Sequence, residues 1–175
     1  FGEHPLAHGV PGIEAATGSL GHGLPIAAGL ALGSQINKIN NHIYVLLSDG
    51  ECNEGSVWEA ALFAAAKKLN NITVIIDFNK WQATGRSEEV MALNPFKEKW
   101  AAFGWNACEI NGHDFSQLES ALTKRSEKPT AIVAHTIKGS GVSFMEDDNN
   151  WHYRIPNANE LFLAKKELGF VESMA

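Results

Sequence analysis

Two polar stretches follow apolar runs in this sequence, and both carry oxygen atoms suited to a divalent cation. Asp49 and Gly50 come soon after the run Ile43–Leu47, and Asn79, 30 positions after Asp49, follows the run Ile72–Ile76. In an open parallel sheet, ligands bind at the carboxyl ends of the strands. A carboxylate beside an amide oxygen forms part of a hard-oxygen shell for Mg²⁺ or Ca²⁺, and phosphate oxygens can complete it.

The residues around the first carboxylate also suit an anion beside the cation. Gly50 lets the backbone approach a ligand closely, and a helix expected to begin near Glu54 offers free N–H groups. The alternative is structural: Asp49 caps that helix and Asn79 shapes a turn. The residue pattern favours neither interpretation. Because both side chains lie in polar loops, we expect them to contribute little to packing.

The rest of the pattern predicts a sheet that positions these residues. Asp114 is the predicted cap of one helix, and Asn94 and Gly104 are the predicted cap and stop of another. Strands alternate with helices, and the two most apolar strands lack in–out alternation. This pattern predicts an α/β fold, a parallel sheet with helices on both faces. We expect one domain over 1–175. The predicted strands are 42–48, 71–78, 105–110 and 130–136, and the predicted helices are 20–38, 54–70, 94–104, 114–125 and 157–168.

The composition argues against several classes of protein. Lys and Arg number 14 against 20 for Asp and Glu, a net charge of −6, and no basic face builds up for nucleic acid. Apolar stretches fall far short of the roughly 20 residues that span a bilayer. Cys52 and Cys108 form neither a metal-type spacing nor a disulfide framework, which is typical of a reducing cytoplasm. We therefore expect a cytoplasmic protein that binds neither nucleic acid nor membrane.

The sequence resembles the transketolases along nearly its whole length. The stretch 48–55 (SDGECNEG), followed by 77–85 (DFNKWQATG), is similar to the thiamine-diphosphate motif. The stretch 2–24 looks like the transketolase segment that joins a His-Pro pair to Gly-Ser-Leu-Gly-His-Gly. The likeness is to the amino-terminal, diphosphate-binding half, as in bacterial transketolases encoded as two subunits. Further matching segments follow in the family's order at 111–118, 128–146 and 149–157.

The resemblance implies a thiamine-diphosphate-binding fold, a cofactor and a metal. Asp49, Asn79 and the backbone carbonyl of Trp81 would ligate Mg²⁺ or Ca²⁺. That ion would neutralise the charge of the cofactor's diphosphate. The residues that would contact thiamine diphosphate are Gly18, Leu20, Asp49, Gly50, Asn79 and His152.

The resemblance also assigns two catalytic histidines. His4 would contact the hydroxyls of the donor sugar, and His152 would lie near the thiazolium and the diphosphate. Neutral imidazole both donates and accepts, which suits polyol substrates and proton transfer near neutral pH. Glu54 would lie at a subunit interface. Lys138 follows a strand in a glycine-rich loop without P-loop spacing, and we expect only an exposed loop there.

The implied activity is the transfer of a two-carbon ketol unit from a ketose, or its phosphate, to an aldose, or its phosphate, as in pentose-phosphate metabolism. Because the sequence holds no pyrimidine-binding domain, a carboxy-terminal transketolase subunit would supply it, in an oligomer of two such pairs. Transketolases also carry about a hundred residues before this point. Two alternatives stay open. One is another thiamine-diphosphate subunit, such as a 2-oxoacid dehydrogenase α chain or a deoxyxylulose-phosphate synthase, and the other is a non-catalytic subunit that stabilises its partner.

Overall fold

The computed structural model describes residues 4–7 and 10–170, and a four-stranded parallel sheet lies at the centre of this part of the chain. In spatial order the strands are β1 (Ile43–Ser48), β2 (Ile72–Phe78), β6 (Thr130–His135) and β5 (Asn106–Asn111). A short antiparallel hairpin of β3 (Trp81–Gln82) and β4 (Gly85–Arg86) follows β2. The helices are α1 (Gly23–Ile36), α2 (Gly55–Ala66), α3 (Ser87–Met91), α4 (Phe96–Ala102), α5 (Phe115–Thr123) and α6 (Ala158–Glu167).

The order of the strands determines the face on which each helix lies. The connections β1-α2-β2 and β2-α4-β5 cross the sheet in one direction, whereas β5-α5-β6 crosses back. Right-handed crossovers therefore put α2 and α4 on one face and α5 on the other. On the α5 face, the hydroxyl of Tyr44 donates to the carbonyl of Leu122 at 3.1 Å. The opposite face carries the buried core, which includes the register partners Val45, Val74 and Ala131.

The predicted strands and helices are confirmed, with small shifts at their ends. Asp114 caps α5, because its side chain accepts from the N–H groups of Ser116 and Gln117. Gly104 follows the end of α4 with φ +92°, as its role as a stop requires. The predicted cap at Asn94 is wrong: Pro95 is the first residue before α4, and the Asn94 amide donates to Glu88 instead.

The cysteines and the apolar content of the helices, both considered in the sequence, can be located in the structure. Cys52 is buried and Cys108 is half-buried, and both are free thiols. Within residues 4–7 and 10–170, no helix combines the length and the apolar character needed to cross a membrane.

Candidate functional site

Asp49 lies at the carboxyl end of β1, fully buried, and accepts hydrogen bonds from three donors. Its Oδ1 accepts from the N–H of Gly50 at 2.9 Å. Its Oδ2 accepts from the N–H of Lys80 at 2.9 Å and from the hydroxyl of Ser87 at 2.7 Å. Burial raises the pKa of the Asp49 carboxyl, against the opposing effect of these bonds. The expectation that Asp49 contributes little to packing is therefore wrong, since its side chain is fully buried and ties β1 to both ends of the β3–β4 hairpin.

Asp49 does not cap the following helix, whereas Asn79 does shape a turn. The residue before α2 is Glu54, and no side chain caps that helix, so Asp49 is not its cap. Asn79 does shape a turn, because its Oδ1 accepts from the N–H of Trp81 at 2.9 Å. An amide oxygen has two lone pairs, and a carboxylate has about four acceptor positions. The bonds found among the described residues therefore leave acceptor capacity on both Asp49 and Asn79.

These residues fit a divalent cation that shares its coordination shell with phosphate oxygens. Asp49 and Asn79 lie side by side, since Lys80, the residue after Asn79, donates its N–H to Asp49. Trp81 follows on the same hairpin. Within the described part of the chain, no cluster of three or more His, Cys, Asp or Glu side chains could hold a metal on its own. One carboxylate, one amide oxygen and one carbonyl are hard ligands for Mg²⁺ or Ca²⁺ and need further oxygens to complete the shell.

The glycine-rich turn at 18–23 packs against the segment that follows β1. The Gly21 N–H donates to Glu51 Oε1 at 3.0 Å, and the Ser56 hydroxyl donates to the Gly21 carbonyl at 2.7 Å. Gly21 has φ +81°, and a β-carbon there would lie 2.5 Å from Ser56 Oγ, so only glycine fits. Burial raises the pKa of the Glu51 carboxyl. Neither Glu51 nor Ser56 was predicted as a site residue, because each resembles an ordinary polar residue near a helix start.

His4 and Gly18, both assigned to the site by resemblance, lie against each other. Gly18 has φ +124°, and a β-carbon there would lie 3.0 Å from the imidazole Cγ of His4. The N–H of Thr17 donates to the carbonyl of Pro5 at 3.2 Å and joins the two segments. The His4 and Leu20 side chains are exposed. The structure therefore brings His4 and the glycine turn together and leaves their surface open to a ligand.

Gly50 and Glu54 flank the 3₁₀ turn Glu51–Asn53. Gly50 has φ −59°, which any residue adopts. Its small size matters because a β-carbon there would lie 3.3 Å from Cγ of Gln82 in the hairpin. Glu54 is exposed at the start of α2. The contacts of Gly50 with a diphosphate and of Glu54 with another protein chain stay predictions.

His152 ends a second 3₁₀ turn, Asn149–His152, and its side chain is exposed. Partial burial and the nearby charge of Lys138 lower the pKa of His152. Lys138 was predicted only as part of an exposed loop, and its effect on His152 makes it a further candidate. Glycines around a lysine do not reveal which distant side chain the lysine faces. No hydrogen bond or ion pair within residues 4–7 and 10–170 joins His152 to Asp49 or His4.

Comparison with known sequences finds relatives along nearly the whole chain. The family described as transketolase, thiamine diphosphate binding domain, matches residues 2–174. One relative, from Actinobacillus succinogenes, is a subunit of apulose-4-phosphate transketolase; it is 43% identical over 167 residues, which are 94% of this chain and 60% of that protein. The 6-deoxy-6-sulfo-D-fructose transketolase subunit SqwG of Clostridium sp. is 44% identical over 138 residues, 77% of this chain and 50% of that protein. The chain thus spans little more than half the length of these relatives.

Solved structures of transketolases share the fold. The transketolase from Campylobacter jejuni has a TM-score of 0.85 and 31% sequence identity, and the match covers 90% of this chain and 27% of that one. For the transketolase from Leishmania mexicana the TM-score is 0.83 at 27% identity, and the match covers 95% of this chain and 27% of that one. The predicted fold class and the predicted resemblance to transketolases are both confirmed.

Proposed function

Because this chain belongs to the transketolase thiamine-diphosphate-binding domain family, we propose that it is the amino-terminal subunit of a two-subunit transketolase. Together with a carboxy-terminal subunit that carries the pyrimidine-binding domain, it transfers a two-carbon ketol unit from a ketose or ketose phosphate to an aldose or aldose phosphate. The names of two relatives support this proposal. They are transketolase subunits named for apulose 4-phosphate and for 6-deoxy-6-sulfo-D-fructose.

The observation that carries the proposal is the buried carboxylate of Asp49 beside the Asn79 amide at the ends of two neighbouring strands. A buried carboxylate whose pKa is raised by burial gains from a nearby cation. Asp49, Asn79 and the Trp81 carbonyl would therefore hold Mg²⁺ or Ca²⁺, whose charge would offset that of the cofactor's diphosphate beside Gly50.

When bound, thiamine diphosphate supplies the electron sink for breaking and forming the carbon–carbon bond. Gly18 and Leu20 would line the cofactor, and the imidazole of His4, which is exposed and lies against Gly18, would hydrogen-bond the donor sugar's hydroxyls. Partial burial, and to a smaller extent the charge of Lys138, lower the pKa of His152 and so help to keep its imidazole neutral. A neutral imidazole donates at one nitrogen and accepts at the other, which allows it to bind an oxygen and to move a proton near neutral pH.

The remaining proposals concern the assembly and its compartment. Residues 1–175 act as one diphosphate-binding domain, with Glu54 at the interface to another subunit, in an oligomer of two subunit pairs. The exposure of Glu54 at the start of α2 supports the interface role. The protein acts in the cytoplasm, where the thiols of Cys52 and Cys108 stay reduced.

The test is reconstitution of the two subunits. We expect calorimetric titration of the full-length chain with its partner to show thiamine diphosphate binding that depends on Mg²⁺, and we expect ketol transfer only from the mixture. Absence of Mg²⁺-dependent binding would overturn the proposal. Binding without ketol transfer to any aldose phosphate would favour a non-catalytic subunit or another thiamine-diphosphate enzyme. Robust turnover by this chain alone would refute a site divided between two subunits.

A further inference from the structure

The segment 80–87, here called the metal hairpin, contains β3 and β4 and carries the Trp81 carbonyl. Strands of two residues do not hold a hairpin together in water. Contacts at its base supply part of the stability: the N–H of Lys80 and the hydroxyl of Ser87 both donate to Asp49 Oδ2. The N–H of Ser87 also donates to the carbonyl of Lys80 at 3.0 Å and closes the base. The face of the hairpin is held separately, by a residue far along the chain.

Asp147 makes that second attachment with both carboxylate oxygens. Its Oδ1 accepts from the indole N–H of Trp81 at 2.8 Å and from the Arg86 guanidinium at 2.6 Å, and its Oδ2 accepts from Arg86 at 2.6 Å. The Arg86 guanidinium also stacks over the Trp81 ring, 3.7 Å from its centroid. Trp81 and Arg86 are register partners in the hairpin, so one carboxylate clamps both strands. Bidentate pairing fixes orientation as well as distance.

The clamp joins the metal hairpin to the loop that carries Lys138 and His152. The N–H of Asp147 donates to the carbonyl of Lys138 at 2.9 Å, and Asp147 adopts a left-handed φ of +54°, which aspartate tolerates better than most residues do. Nearby, the Asn149 amide donates to the carbonyl of Ala83 at the hairpin tip, at 3.2 Å. The hydrogen bonds from Arg86 and Trp81 lower the pKa of Asp147 to about 2, so the carboxylate is ionised near neutral pH.

We propose that Asp147 is a positioning residue for the divalent cation: it holds the metal hairpin in the conformation that presents Asn79 and the Trp81 carbonyl, and so raises metal affinity without touching the metal. This inference rests on the proposed function. The clamp acts locally, because the Arg86 and Asp147 side chains are 35% and 52% exposed, and ion pairs this exposed add little to global stability. Its effect therefore lies in the geometry of the ligands.

Asp147→Asn tests the inference, with Glu167→Gln as the matched control. Glu167 also holds the 138–152 loop through two hydrogen bonds, from the N–H and the hydroxyl of Ser143, but these bonds lie away from the hairpin. The measurement is the Mg²⁺ concentration that half-saturates thiamine diphosphate binding by the full-length chain with its partner subunit. We expect Asp147→Asn to raise it roughly tenfold, the usual effect of losing a residue that orients metal ligands. Glu167→Gln should change it less than twofold.

Two further measurements separate positioning from general loosening. At saturating Mg²⁺ the cofactor affinity of Asp147→Asn should return to that of the wild type, and the unfolding midpoints of the two metal-free variants should be alike. Arg86→Lys keeps the charge but breaks the bidentate pairing, and it should also raise the half-saturating concentration, even if Asp147→Asn fails to fold. Equal shifts for Asp147→Asn and Glu167→Gln, or an unchanged value in the folded clamp variants, would overturn the inference alone. A wild type that does not bind the cofactor would overturn the proposed function and this inference together.

Discussion

Alanine variants of the two residues proposed to ligate the metal should both lose cofactor binding but should differ in stability. Asp49→Ala and Asn79→Ala each remove an oxygen from the site, so we expect both to abolish Mg²⁺-dependent cofactor binding. Asp49 also accepts three hydrogen bonds in a fully buried position, whereas Asn79 is half-buried and accepts one. The two variants therefore separate ligand loss from structural damage.

The magnitude follows from the donors that each variant leaves behind. Asp49→Ala leaves the N–H groups of Gly50 and Lys80 and the Ser87 hydroxyl without their acceptor, at about 1–3 kcal/mol each. Removing a carboxylate whose ionisation is disfavoured by burial offsets part of this loss. We expect a net loss of about 2–5 kcal/mol for Asp49→Ala. Asn79→Ala loses one half-buried bond and should cost about 0.5–1.5 kcal/mol.

The assay is urea unfolding without metal or cofactor, followed by calorimetric titration of each folded variant. Equal slopes against urea concentration would show that the variants differ from the wild type in stability and not in compactness. If Asp49→Ala and Asn79→Ala unfold with the same free energy, the bonds to Asp49 do not hold the hairpin. If either variant binds the cofactor as the wild type does, its side chain is not a metal ligand.

The difference in unfolding free energy between the wild type and Asp49→Ala should change with pH in a definite direction. Burial raises the pKa of Asp49 above the ordinary value of 3.8, so the folded state holds this proton more tightly than the unfolded state. The resulting stability is fully present below 3.8 and is lost as the pH rises through the raised pKa. The free-energy difference between the wild type and Asp49→Ala should therefore shrink over that window. A difference that grows with pH there would contradict the buried position of the carboxylate.

Three further variants test other parts of the site. Gly21→Ala should lower the free energy of unfolding by about 2–4 kcal/mol, since φ is +81° and the new methyl overlaps Ser56 Oγ; wild-type stability in urea would contradict that geometry. Lys138→Met should raise the pKa of His152 part of the way to 6.5, since burial, the larger cause of the lowered pKa, remains. If the imidazole titration, followed by NMR, is unchanged in this variant, Lys138 does not act on His152. His4→Ala should lower kcat/KM for the ketose roughly tenfold to a hundredfold at unchanged cofactor affinity. A parallel loss of cofactor affinity would instead mean that His4 supports the glycine turn.

The proximity of Asp49 and Asn79 was predictable because it depends on short-range patterns and one rule of topology. Continuous apolar runs identify β1 and β2, and neighbouring parallel strands end at the same edge of the sheet. The hairpin between Lys80 and Ser87 was not predictable, because its segment has no hydrophobic period. Its stability comes from Asp49 and Asp147, which lie 38 positions from Ser87 and 66 from Trp81, respectively.

Partners that are distant in sequence also explain why the predictions for single residues failed or were incomplete. Asn94 has the sequence features of a helix cap, but its amide faces Glu88 in the preceding helix instead. Lys138 lies in a segment that looks like an ordinary flexible loop, and only the folded chain brings its charge near His152. Local propensity identifies a residue's type of role, whereas its partner depends on contacts that are distant in sequence.

Asp49 both holds the metal hairpin and faces the proposed cation, so hairpin folding and metal binding are thermodynamically linked. A cation that offsets the burial of this carboxylate stabilises the hairpin, and a contact that favours the ordered hairpin raises the apparent metal affinity by at most the factor by which it stabilises that conformation. Asp147 supplies such a contact from the other side, through Trp81 and Arg86. Asp147→Asn should therefore weaken metal binding and lower the protection that a fixed Mg²⁺ concentration gives the hairpin. Hydrogen exchange of the Ser87 amide, which closes the hairpin's base, measures that protection directly.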